Sequence, residues 1–144
     1  MDNQNTLSTE EILEEIENGY TISTKEIDFV SRQGQLRQLH CRILEQYESC
    51  FQFATASDVS PSHLNEFLNG KKHLSRNKLI GICISLKCNV METRNILHRL
   101  ESMDLYSRNR RDFEILNCIK QGKTLDETNE ILSKNGFADL RDRR

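Results

Sequence analysis

Only one proline, Pro61, and six glycines occur among 144 residues, and tryptophan is absent. So few breakers and turn formers exclude collagen-like, proline-rich and short-stranded β architectures. Apolar runs are short too, and none approaches the roughly 18–20 residues of a membrane-spanning helix. There is no C-x-x-C pair, and Cys41, Cys50, Cys83, Cys88 and Cys118 are odd in number. That argues against a complete disulfide framework and against a paired-cysteine zinc site. The expectation is free thiols packed as small hydrophobes, with no cofactor and no metal. Glycine-rich phosphate loops, H-E-x-x-H and a nucleophile–histidine–acid grouping are missing, so nothing points to an enzyme. The opening MDNQNTLSTEEILEE lacks the basic and apolar regions of a signal or transit peptide, and a cytoplasmic protein is expected.

What is present favours helices. Hydrophobic residues make up 36% and charged residues 29%, enough for one all-α unit with its own core. Net charge is −2, but it is unevenly spread. Residues 1–30 hold eight acids against Lys25, whereas residues 31–144 hold nineteen Lys or Arg against fourteen acids. An acidic arm therefore precedes a mildly basic body, a balance compatible with nucleic-acid binding or with plain surface solvation.

Taken in order, Ser8-Thr9-Glu10-Glu11 is a capping box that opens a short acidic helix over 9–18. Its narrow stripe, Ile12, Leu13 and Ile16, must dock on its own body, on a partner protein or on a second copy. A β-branched connector follows at 20–24, and Ile27, Phe29 and Val30 supply further apolar contacts. Gly34 is expected to interrupt the next helix. Leu36, Leu39, Ile43, Leu44 and Tyr47 are expected on one face of a helix ending near Glu48. Ser49-Cys50-Phe51-Gln52 reads as another capping box, with Phe53 and Ala54 inward. Asp58 stands where the chain must turn sharply. Ser60 then caps a helix with Pro61 at its first position, and Leu64, Phe67 and Leu68 form its apolar face. Asn69-Gly70 closes it. Lys71, Lys72 and His73 make a basic elbow, and Ser75 caps the next helix, with Leu79, Ile80, Cys83, Ile84 and Leu86 inward.

Phe53-Ala54, the turn Ser57-Asp58-Val59-Ser60, Leu64 and the exit Asn69-Gly70-Lys71-Lys72 together resemble the XRE family, the Cro and phage-repressor type of helix-turn-helix. The likeness covers residues 36–90. Asp104-Leu105-Tyr106 with Asn109-Arg110-Arg111-Asp112 is similar to small helix-turn-helix proteins of Gram-positive bacteria that carry an "LY..NRRD" extension. The resemblance implies that the second helix of the pair enters the major groove while the first braces on phosphates. Ser62, His63, Asn65 and Glu66 would face base edges, since Asn pairs with adenine and Glu accepts from cytosine. Ser49, Gln52, Asn69, Lys71, Lys72 and Arg76 would lie near phosphates. The chain departs from the family pattern at Cys50, where Gln is common, at Pro61, often polar, and at Glu66, which would repel phosphate.

A second pattern lies downstream. Residues 76–105 and 111–140 align without gaps at an offset of 35, with ten identical pairs, among them Arg76/Arg111, Cys83/Cys118, Thr93/Thr128, Leu97/Leu132 and Leu105/Leu140. Ile, Cys and Ile recur at i, i+3 and i+4, and capping boxes recur at Asn89…Glu92 and Thr124…Glu127. The unit is a helical hairpin, repeated once and expected to stack. Asn109 and Asp112 are expected to cap the repeat's first helix, with Arg108, Arg110 and Arg111 exposed.

The organisation expected is thus an acidic helical arm at 1–30, a helix-turn-helix domain at 31–105, and a helical hairpin at 106–144 packed on it. Two function classes stay open. One is a sequence-specific, homodimeric transcriptional regulator on double-stranded DNA. The other is a helical protein–protein adaptor, of phage or mobile-element type, using the arm or the second hairpin while the DNA face stays silent.

Overall fold

Left-handed backbone residues mark the ends of five helices and so divide the body into its parts. They are Asp58, Gly70, Lys87, Gly122 and Gly136. The computed structural model describes residue 10, residues 32–100 and residues 102–141. The arm helix expected at 9–18 with Ile12, Leu13 and Ile16, the connector at 20–24, the contacts of Ile27, Phe29 and Val30, and residues 142–144 lie outside the described residues. Arg32–Arg144 forms one compact unit.

Among the described residues the unit is all-helical: α1 (Arg32–Gln46), α2 (Cys50–Ser57), α3 (Pro61–Leu68), α4 (Arg76–Ser85), α5 (Val90–Arg99), α6 (Arg110–Lys120) and α7 (Leu125–Lys134). No described helix is long and apolar enough to cross a membrane.

The caps are local and fall where the residue types put them. Ser49, Ser60, Ser75, Asn89, Asn109 and Thr124 each accept a hydrogen bond from the backbone N–H three residues on. Both downstream capping boxes are complete. The box expected at Ser49 is not. Gln52 Oε1 accepts from Glu48 N at 3.1 Å, one residue before the cap. Gly34 does not interrupt α1. It lies within the helix, two residues after Arg32. Leu36, Leu39 and Ile43 are buried as expected, but Leu44 is 52% exposed. Neighbouring residues of a helix point about 100° apart, so a stripe spaced three and four holds Ile43 and turns Leu44 out.

Helix α4 is the centre. Leu79, Ile80, Gly81, Ile82, Cys83, Ile84 and Ser85 are all buried, the signature of a helix covered on every side. It packs against α2, α5 and α7, and α1 packs on α2, α3 and α5. The end of α1 is tied down through Tyr47 Oη, which donates to Ser85 O at 2.8 Å, and Gln46 Nε2, which donates to Leu86 O at 3.0 Å. Tyr47 also meets Phe53 edge-on, with ring centroids 5.0 Å apart. Cys83, Cys88 and Cys118 are buried free thiols, whereas Cys41 is exposed and Cys50 half-buried. Cys41 follows His40 on the outer side of α1, away from the Leu36–Leu39–Ile43 stripe.

The repeat expected at an offset of 35 is carried by matching hydrogen bonds. Arg76 Nε donates to Met103 O at 2.9 Å and Arg111 Nε to Ala138 O at 2.8 Å. Arg76 Nη2 reaches Asp104 O at 2.9 Å and Arg111 Nη2 reaches Asp139 O at 3.0 Å. Thr93 Oγ1 bonds back to Asn89 O at 2.9 Å and Thr128 Oγ1 to Thr124 O at 2.8 Å. In each hairpin an arginine at the head of the first helix clasps the backbone that leaves the second helix. Arg111 is therefore a half-buried clasp, not the exposed helix start expected of it. Asp112 is likewise no cap. Asn109 alone fills that role, and the Asp112 carboxylate takes Arg76 at 2.8 and 3.2 Å and the Tyr106 N–H at 2.9 Å.

Candidate nucleic-acid interface

Eight helical residues, a three-residue turn and eight more helical residues form the α2–α3 pair. The turn works because Asp58 adopts φ 59° and ψ 42°, a left-handed geometry that Asp tolerates better than most residues. Val59 N returns to Ala54 O at 3.0 Å, which closes α2 in a Schellman motif. Lys78 Nζ, from α4, donates to Asp58 O and lies 3.7 Å from its carboxylate. On the core side, Phe53, Ala54, Val59, Leu64 and Phe67 lock the two helices together.

That packing fixes what α3 shows to solvent. Ser62, Asn65 and Asn69 are exposed, and Glu66 beside them is half-buried. Their spacing places them on one helical face, and Asn69 Nδ2 approaches Asn65 Oδ1 at 3.5 Å. The face is thus a strip of hydroxyl and carboxamide groups able to donate and accept.

Flanking groups add donors. The Ser49 and Gln52 oxygens are taken as acceptors by Gln52 N and Glu48 N. Their own donors, a hydroxyl hydrogen and a carboxamide NH2, belong to exposed side chains. At the other end of α3, Lys71 N returns to Glu66 O at 2.8 Å. Gly70, at φ 78°, permits the bend that leaves Lys71, Lys72 and His73 exposed.

Two of the expected contact residues sit differently. His63 is half-buried, and its Nε2 lies 3.2 Å from His73 O, so it ties α3 to the basic elbow. Arg76 faces the C-terminal hairpin instead of the elbow. Its guanidinium is spent on Met103 O, Asp104 O and the Asp112 carboxylate. The reason lies in the repeat, because the matching Arg111 makes the same clasp.

One cation near the elbow escaped the sequence reading. Arg32 lies with its guanidinium carbon 5.9 Å from the Phe67 ring centroid, and its Nη2 is 3.5 Å from Lys72 O. Its place four residues before Leu36, on the stripe that meets α3, is the signal that could have found it. The acids within residues 48–78 are Glu48, Asp58 and Glu66. With Lys78 held by Asp58, the surplus of positive charge rests on Lys71, Lys72 and Arg32.

Comparison with models of known protein families, with curated proteins and with solved structures gave no match to this chain.

Proposed function

We propose that the chain is a sequence-specific DNA-binding transcriptional regulator resembling the XRE type, with α3 as the helix that enters the major groove. One observation carries this reading. Ser62, Asn65 and Asn69 stand on one exposed face of a helix set against α2 by a three-residue turn. That arrangement suits reading by the first turns of the second helix of such a pair. Asn65 has the groups to pair with adenine N6 and N7. Ser49, Gln52, Lys71 and Lys72 lie to either side of the strip in the chain and would fix register on phosphates. Arg76 leaves that set, and Arg32 joins it. A homodimer would place one α3 in each half-site.

The test is selection of bound fragments from random and genomic DNA at two salt concentrations. A consensus should emerge. Lys71→Glu with Lys72→Glu should abolish the salt-sensitive shift. Asn65→Ala should cost about 1–3 kcal/mol and relax preference at its own base pair. No enriched sequence at low salt would sink the proposal.

A second reading, a protein-interaction adaptor, is favoured by exposed apolar side chains. Phe51 on the first turn of α2 is 68% exposed, and Met103 and Tyr106 are 75% and 60% exposed. In that reading the charge reversal leaves partner capture intact, while Ile12→Asp with Ile16→Asp removes it.

A further inference from the structure

The turn between α4 and α5 brings two cysteines together. Lys87, at φ 60°, lets Cys88 N return to Cys83 O at 3.0 Å, and Lys87 N bonds to Ile84 O at 3.0 Å. This is a Schellman motif, which commonly sets two side chains, those now at 83 and 88, in contact. Here both are thiols, near enough for each to shift the ionisation of the other. The second hairpin supplies a comparison within the same molecule. Cys118 matches Cys83, and Lys123 N returns to Cys118 O at 3.0 Å through left-handed Gly122. A lysine stands there where the first hairpin has its second thiol.

The two sulfurs differ in access. Cys83 is fully buried, and Cys88 is 4% exposed. Cys88 lines a cleft of about 160 Å³ together with Lys87, Asn89, Lys120 and Lys123. Besides these lysines, Arg42 from α1 and Glu92 from α5 act on the pair, and Thr93 acts on Cys83.

We propose that Cys83 and Cys88 are a hydroperoxide-oxidisable dithiol that closes to an intramolecular disulfide across the α4–α5 turn. Cys88 is the attacking sulfur. The neighbouring Cys83 thiol lowers its pKa, burial works against this, Arg42 lowers it further and Glu92 opposes, with a net lowering, so that the thiolate forms more readily than at an ordinary thiol. Cys83 is shifted the opposite way, by the neighbouring Cys88 and by burial, and stays protonated. The Cys88 thiolate attacks one peroxide oxygen. An S–O bond forms, the O–O bond breaks, and the other oxygen leaves as hydroxide or alkoxide, taking up a proton. Cys88 is then a sulfenic acid, two electrons oxidised. The Cys83 sulfur attacks the Cys88 sulfur, the S–S bond forms, the S–O bond breaks, and the oxygen departs as water with the Cys83 proton.

The proposal is independent of DNA binding, and full-length protein tests it. Folded chain is treated with hydrogen peroxide, its remaining thiols are alkylated, and it is digested with trypsin for mass spectrometry. Cleavage after Lys87 puts Cys83 and Cys88 on separate peptides, so only a disulfide holds them together. A linked pair is expected, with Cys88 consumed about tenfold or more faster than Cys118, whose pKa burial raises. In Cys83→Ser, dimedone should trap Cys88 as the sulfenic acid. Recovery of Cys83 and Cys88 as alkylated thiols after Cys41 has oxidised would overturn the proposal. So would Cys118 oxidising as fast as Cys88. The wild-type map decides without any variant, so a misfolded substitution does not blur the result.

Discussion

The hairpins α4–α5 and α6–α7 share their caps, clasps and left-handed exits yet live in different surroundings. In α4 every residue from Leu79 to Ser85 is buried. In α6 burial is confined to Asp112, Ile115, Cys118 and Ile119. The same local code therefore serves a central helix and an outer one. Caps and turns set the hairpin, and neighbours set how much of it is covered. The joint between the hairpins is specific to the first copy. There Arg76 holds its own exit strand and also the buried Asp112, the third residue of α6.

The sharpest way to break the comparison is at that joint. Arg76→Ala should lose about 3–5 kcal/mol in urea denaturation, because Asp112, 6% exposed, keeps a buried charge without its partner. Asp112→Asn on that background should recover part of the loss. Strict additivity of the two changes would mean that the pair is not a joint. A smaller effect is expected at the exits. Lys87→Gly should raise stability by roughly 0.5–1 kcal/mol by relieving left-handed strain, partly offset by chain entropy, while Gly122→Ala should lower it by about 1 kcal/mol. Changes of the same sign at both sites would show that the two turns do not carry the same geometry.

The smallest effect is electrostatic. The Glu92 carboxyl is held below the usual carboxylate range first by the hydrogen bond from Arg42 and then by the Asn89 N–H. A lowered folded-state pKa means support that is complete above the unfolded value and lost as pH falls through the folded one. Glu92→Gln should therefore flatten the decline in stability between pH ~5 and ~3, with an effect of at most about 1 kcal/mol for so exposed a pair. An unchanged pH profile would remove the Arg42–Glu92 pair from the account of what joins α1 to α5.

The parts legible in the sequence are those decided within four residues or by recurrence. Caps at Ser60, Asn89 and Thr124 depend on one side chain and one nearby amide, and the repeat shows itself by identity at a fixed offset. The outward side of α3 was readable only through the helix-turn-helix resemblance, which named Ser62 and Asn65 together with the half-buried His63 and Glu66 and set Asn69 among the phosphate contacts. Arg76 was not, because its carboxylate partner lies 36 residues away. Asp112 looked like a cap because Asp is a good cap, yet the half-buried Arg76 guanidinium outbid the helix start for it. Leu44 was misjudged because α1 is covered along the Leu36–Leu39–Ile43 stripe, and composition does not say that Leu44, next to that stripe, falls on its uncovered side. Arg32 stayed hidden because its contact with Phe67 joins α1 to α3.

Helix α4 closes the helix-turn-helix and also opens the first hairpin. Gly81, midway along it, has Ser57 O from α2 and the Leu125 side chain from α7 each 3.6 Å from where a Cβ would stand. Ownership of that helix is undivided, so the body has no seam at which a builder could cut. A fragment ending before α6 strips α4 of Leu125, and one beginning at α4 strips it of α2. Whatever is fused, swapped or trimmed in this body must keep Arg32 through α7 as a single piece.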